Sequence, residues 1–138
     1  MRGIGVAKRS DPLETILGPL EQDVMDVVWT LQDATVRDVH DELAQRRKIA
    51  YTTVMTTMSR LASKGLLTRD TEGLAHRYRP CITRDSYART TFGSLLSWLF
   101  ERYPESAVSY LAEVVDDVDN VSVDSLRRAV ERQRELEG

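Results

Sequence analysis

The sequence predicts a mainly α fold: three helices closed by a β-hairpin, followed by a second set of helices. Three observations predict it. Apolar residues recur at helix spacing in segments running from Leu20 to Leu61. Between Leu66 and Pro80 the period drops from 3.6 to 2, around Thr71-Glu72-Gly73, as two short strands and a turn require. After Thr83 the helical period returns and holds almost to the end of the chain.

Residues 1–17 have no periodicity and read as a flexible N-terminal arm. The first helix follows Gly18-Pro19 and carries Leu20, Val24, Val27, Val28 and Leu31 on one side. Proline is tolerated at a helix start, and the dipole favours Glu21 and Asp23 in the first turn. "DAT" at 33–35 breaks the helix. Thr35 then caps a second helix through Val36, Val39 and Leu43 to Gln45, with Asp38 as the capping-box acid. "RRKIA" is a short basic connection to a third helix, Tyr51 to Lys64, which stops at Gly65. The runs "LLTRDTEG" and "LAHRYRP" supply the hairpin, and Pro80 ends it. Three helices plus a β-hairpin wing within residues 18–82 is the plan of a winged helix-turn-helix.

Thr83 is the expected cap of a fourth helix, with Ala88, Phe92, Leu95, Leu96, Leu99 and Tyr103 in a broad apolar stripe. Pro104 ends it and opens a fifth helix through Ala107, Val108, Leu111, Val114 and Val115. "DDVDN" is a loop, and Ser122 caps a last helix through Leu126, Ala129, Val130 and Leu136. These helices are too few and too short to enclose a core of their own. Residues 83–138 are therefore expected to form a helical dimerisation domain, in which Phe92, Leu95, Leu96, Leu99, Tyr103 and Leu111 dock on a second copy. Trp29 is expected in the first core and Trp98 at the interface between copies.

The net charge of −3 conceals a strong segregation. Residues 11–45 hold nine acids and one base, and residues 46–79 hold eight bases and two acids. Local sign, rather than the total, sets the attraction for a polyanion. One cysteine, Cys81, excludes an intramolecular disulfide and a multi-cysteine metal site, and fits a reducing cytosol. No run approaches the roughly 20 apolar residues of a membrane span. A cytoplasmic protein with no membrane partner is expected. No phosphate-cradling glycine loop, nucleophile–base pair or metal constellation occurs, so neither an enzyme nor a cofactor is expected. His40 and His76 lack a paired ligand at metal spacing and read as structural or surface residues.

The third helix, "YTTVMTTMSRLAS", carries the functional signal. On a helical wheel Val54, Met58 and Leu61 share one side, and Thr52, Thr53, Thr56, Ser59, Arg60 and Ser63 fill the opposite arc. No carboxylate occurs between Tyr51 and Arg69. A merely solvated face mixes signs and uses Glu–Lys pairs. Short hydroxyl side chains instead let a helix backbone approach base edges, and arginine reaches guanine or phosphate. Thr52, Thr53, Thr56 and Arg60 are the candidate DNA-reading residues. Lys48 before the helix, Lys64 at its exit and Arg77 on the wing are candidate phosphate contacts. Arg79 fits a phosphate contact or an ordinary exposed strand equally.

"ATVRDVHDEL", followed by "AYTTVMTTMSRLASKGLLTRDTEGLAHRYRP", resembles the penicillinase repressor family, the BlaI/MecI type of winged-helix transcriptional regulator. The resemblance covers about residues 18–82 in detail and 83–138 by pattern. It implies a homodimer on a double-stranded, inverted-repeat operator, repressing β-lactam-resistance or cell-envelope stress genes. It also implies a sensor-linked protease as a partner, with repression relieved by proteolysis or loss of dimerisation. The Asn-Phe bond cleaved in the β-lactam branch has no counterpart in "TTFGSLLSWLFERY". The cysteine-rich tail of copper-responsive relatives is missing as well, so copper sensing is not expected. The alternative is a winged-helix module that binds a partner protein without reading DNA. An acid-rich third helix would favour that alternative, and this one excludes acids.

Overall fold

The computed structural model describes residues 16–137. All but the last two residues of the expected N-terminal arm lie outside the described residues. The chain forms two compact units that divide between Phe92 and Gly93.

The first unit contains α1 (Pro19–Leu31), β1 (Ala34–Thr35), α2 (Val36–Ala44), α3 (Tyr51–Ser63), β2 (Leu67–Asp70) and β3 (Arg77–Pro80). The three strands form an antiparallel sheet in the order β1-β3-β2. Three helices packed with this small sheet make a winged helix-turn-helix. The core draws on every helix. Val24, Met25 and Val28 of α1, Val39 and Leu43 of α2, and Val54, Met58 and Leu61 of α3 are all but inaccessible to solvent, as is Tyr78 of β3. Their spacing at three and four residues places them on single helix sides, which is why these segments fold as helices once they pack. Leu31 departs from the expected stripe, since it is 41% exposed while Met25 is fully buried.

The caps are sequence-encoded. Thr35 Oγ1 accepts the Asp38 N–H at 3.0 Å, and Asp38 Oδ2 accepts the Thr35 N–H at 3.0 Å. After α3, Gly65 adopts φ +85°. The Leu66 N–H reaches Leu61 O and the Gly65 N–H reaches Ala62 O, each at 3.0 Å. This double closure is the Schellman arrangement, and its left-handed residue favours glycine. Two strand features differ from the sequence reading. β1 lies within the segment read only as a break, where two residues are too few to show a period. The β2–β3 strands are shorter than the runs that predicted them, because residues 71–76 leave the ladder.

α4 spans Arg84–Arg102, and its first turns belong to this unit. Trp29 Nε1–H donates to Ile82 O at 2.8 Å, and the Tyr87 ring lies 5.9 Å from the Trp29 ring. Tyr87 Oη accepts the Leu17 N–H at 3.1 Å. The N-cap expected at Thr83 is present, with its Oγ1 accepting the Ser86 N–H.

The second unit holds the rest of α4 with α5 (Pro104–Asp116) and α6 (Val123–Glu137). Val114 of α5 and Ala129 of α6 are buried. Arg132 Nε–H donates to Asp117 Oδ2 at 2.5 Å, and Ser122 Oγ caps α6 by accepting the Ser125 N–H. No residue of α4 is buried. Among the described residues no helix is long and apolar enough to cross a membrane.

Candidate nucleic-acid interface

α3 exposes the residues that the wheel placed outward. Thr52, Thr53, Thr56 and Arg60 are exposed, while Val54, Met58 and Leu61 are fully buried. Thr57 belongs to neither group by chemistry. It turns inward at 3% exposure and satisfies its hydroxyl by donating to Thr53 O at 2.8 Å. Tyr51 and Met55, each 42% exposed, extend the outward surface with apolar and aromatic atoms. Ala50 at the N-cap provides no side-chain acceptor. No side chain caps the first turn of α3, where the Thr53 N–H reaches Ala50 O at 3.1 Å, and the positive end of the helix dipole lies beside Thr52 and Thr53.

Side chains from α1 and α2 hold α3 and its lead-in. His40 Nε2 donates to Ile49 O at 2.9 Å, and its ring meets the edge of Tyr51 at 5.8 Å. Arg47, in the connection, pairs with Asp23 of α1 at 3.2 Å. At the other end, Lys64 Nζ donates to Glu21 Oε2 at 2.8 Å. Glu21 is also the N-terminal cap of α1, since its Oε1 accepts the Gly18 N–H at 3.1 Å. Burial opposes the Glu21 charge. The hydrogen bonds from Lys64 and Gly18, with the nearby positive charges of Lys64 and Arg60, outweigh that and hold the carboxyl below its ordinary value.

The candidate phosphate contacts differ in their surroundings. Lys48 is exposed and has no ion pair among the described residues. Lys64 is held by Glu21. Arg77 and the neighbouring Arg79 both pair with Asp33, at 2.8 Å and 3.3 Å. The hydrogen bond from Arg77 acts most strongly on the Asp33 carboxyl, and with the charge of Arg77 and the bond and charge of Arg79 it outweighs the cost of burial and holds the group below its ordinary value. Sequence reasoning did not single out Glu21 or Asp33 as partners of these cations. No sequence spacing links Asp33 to Arg77, because the contact follows from the pairing of β1 with β3.

The candidate dimerisation residues differ in exposure. Phe92 is 64% exposed and Tyr103 is 50% exposed. Leu95, Leu96, Leu99 and Leu111 are half-buried. Val108 and Val115 of α5 add further exposed apolar atoms. Among the described residues no group of three His, Cys, Asp or Glu side chains could hold a metal ion.

Comparison with known proteins places the chain in a family. Residues 17–132 match the family model described as penicillinase repressor. The transcriptional regulator BlaI of Mycobacterium tuberculosis (strain CDC 1551 / Oshkosh) is 39% identical over 117 residues, covering 84% of this chain and 83% of the relative. BlaI of strain ATCC 25618 / H37Rv matches equally. The solution structure of the DNA-binding domain of the repressor BlaI is similar at 30% identity and a TM-score of 0.47, over 51% of this chain and 87% of that one. The monomeric form of Bacillus licheniformis BlaI, in complex with the blaP half-operator, is similar at 29% identity and a TM-score of 0.46, over 52% and 88%.

Proposed function

The chain belongs to the penicillinase repressor family of transcriptional regulators, and from that premise we propose that it represses transcription as a homodimer bound to an inverted-repeat DNA operator. The observation that carries this reading is the exposed row of Thr52, Thr53, Thr56 and Arg60 on a helix whose other side is fully buried. Threonine supplies a hydroxyl for base or phosphate and a methyl for the thymine methyl, and arginine supplies bidentate reach. The first turn, which no side chain caps, adds N–H groups for a phosphate. Lys48, Lys64 and Arg77 act on the backbone, where contacts fix register without reading sequence.

Phe92, Leu95, Leu96 and Leu99 support the homodimer, since the 19-residue α4 that carries them buries none of them fully within one chain, and Tyr103 and Leu111 follow it with further accessible apolar atoms. The family supports β-lactam-resistance or envelope-stress genes as targets. It also supports relief of repression in residues 83–138, by a sensor-linked protease or by loss of dimerisation.

The experiment is a fluorescence-anisotropy titration on operator and random duplexes. Thr56→Ala and Arg60→Ala should each cost about 1–3 kcal/mol on the operator and much less on random DNA. Arg77→Ala should weaken both by similar factors and lower the salt slope by about one unit. Stable Thr56 and Arg60 variants that keep wild-type discrimination would place the reading surface elsewhere.

A further inference from the structure

Asp33 follows Gln32, whose left-handed backbone (φ 67°) ends α1, and immediately precedes β1. The register pairs Ala34 with Tyr78 and Thr35 with Arg77. Tyr78 points into the core at 1% exposure, so Arg77 and Arg79 project from the opposite, solvent side of β3. Side chains alternate along β1 in the same way, which puts Asp33 on the side that carries both arginines. Each carboxylate oxygen takes one of them. Oδ1 accepts Arg77 Nε–H at 2.8 Å, and Oδ2 accepts a proton of Arg79 Nη2 at 3.3 Å.

The choice of nitrogen matters. Arg77 is gripped at Nε, and its Nη1 and Nη2 groups have no partner among the described residues. A guanidinium held at that edge cannot swing freely, yet it still offers Nη donors to a phosphate. The carboxylate also reduces the charge of the pair of arginines from two to one. Stability does not account for this arrangement. The side chains are 46% (Arg77), 56% (Arg79) and 37% (Asp33) exposed, and ion pairs so exposed contribute little to folding.

We propose that Asp33 is a positioning residue for DNA recognition: it holds Arg77 and Arg79 in one geometry for phosphate contact and limits the charge that the wing offers to any duplex. This rests on the DNA-binding reading above. Removing the carboxylate frees two cations to find phosphates in any register. Random DNA is then bound more tightly, while operator binding gains little, because the released charge offsets the lost fixed geometry.

The test is an anisotropy titration of the full chain across salt, on an operator duplex obtained by selecting bound sequences from a random library and on a random duplex of equal length. Asp33→Asn should steepen the slope of log affinity against log salt on random DNA by about one unit. It should also reduce operator-to-random discrimination several-fold. Asp33→Glu, which keeps the charge, should retain the wild-type slope. In an Arg77→Gln/Arg79→Gln background, Asp33→Asn should change neither quantity. Wild-type slope and discrimination in Asp33→Asn overturn the proposal, and so does an effect that persists without the two arginines. Asp33→Ser provides a second neutral variant. If both neutral variants lose the fold by circular dichroism, Asp33 is structural and the proposal fails. If wild-type protein shows no salt-dependent binding to any duplex, the DNA-binding reading itself fails.

Discussion

Glu21 ties two parts of the first unit together with one carboxylate. Its two oxygens cap the start of α1 and hold Lys64 at the exit of α3. Lys64 is more than a third exposed, so solvent screens the pair and the ion pair alone is modest. The backbone cap adds to it, and Glu21→Gln should cost about 1 kcal/mol at neutral pH. The sign of the pH dependence follows from the lowered carboxyl. A group with a depressed folded value contributes stability above its unfolded value and loses it as pH falls through the folded one. Thermal melts should therefore separate Glu21→Gln from wild type at about pH 7 and converge as the pH falls through the lowered folded value of the carboxyl. A gap that persists unchanged in acid would show that the carboxylate charge is not the source. Thr57 and Thr56 show how finely the residue scale divides one sequence run. They are neighbours of the same type, yet one closes its hydroxyl onto Thr53 O in the core and the other faces solvent.

At the scale of elements, the helix starts differ, and α3 has no side-chain cap. α2 relies on the reciprocal bonds between Thr35 and Asp38. Thr35→Ala removes one acceptor and should cost about 0.5–2 kcal/mol by chemical denaturation, with an unchanged m-value. Thr35 also sits in β1 opposite Arg77, so a larger loss would mean that the strand pairing weakens as well. Such local devices were legible in the sequence because their chemistry lies within three or four residues. The Thr35 cap, the Gly65 stop, the Val54, Met58 and Leu61 side of α3 and the Thr83 and Ser122 caps all follow from short spacing. β1 was not legible, since two residues carry no period and only the register with β3 defines them. For the same reason Asp33 was not recognised as the partner of Arg77, which lies 44 positions away. The hydroxyl row of α3 could be read from its wheel, but the counterions that hold the candidate cations could not.

At the scale of the molecule, the question is how an acidic chain meets an acidic polymer. Part of the answer lies in pairing: Glu21, Asp23, Asp26 and Asp33 hold Lys64, Arg47, Arg84 and Arg77. The exposed side of α3 meanwhile carries no acid. The other part is the proposed homodimer, in which a second copy would double the number of phosphate contacts. Charged substitutions at Leu96 and Leu99 should give monomers by sedimentation, and should weaken a two-half-site duplex far more than a single half-site. A variant that stays dimeric would assign the interface to other residues. The central claim, a dimer reading DNA through α3, is tested most directly by selecting bound duplexes from a random library with the full chain. The expected outcome is an inverted repeat whose half-sites are centred about one helical turn, roughly 10 base pairs, or a multiple of it apart. A library that shows no sequence enrichment, or enrichment of a lone half-site, would contradict the claim.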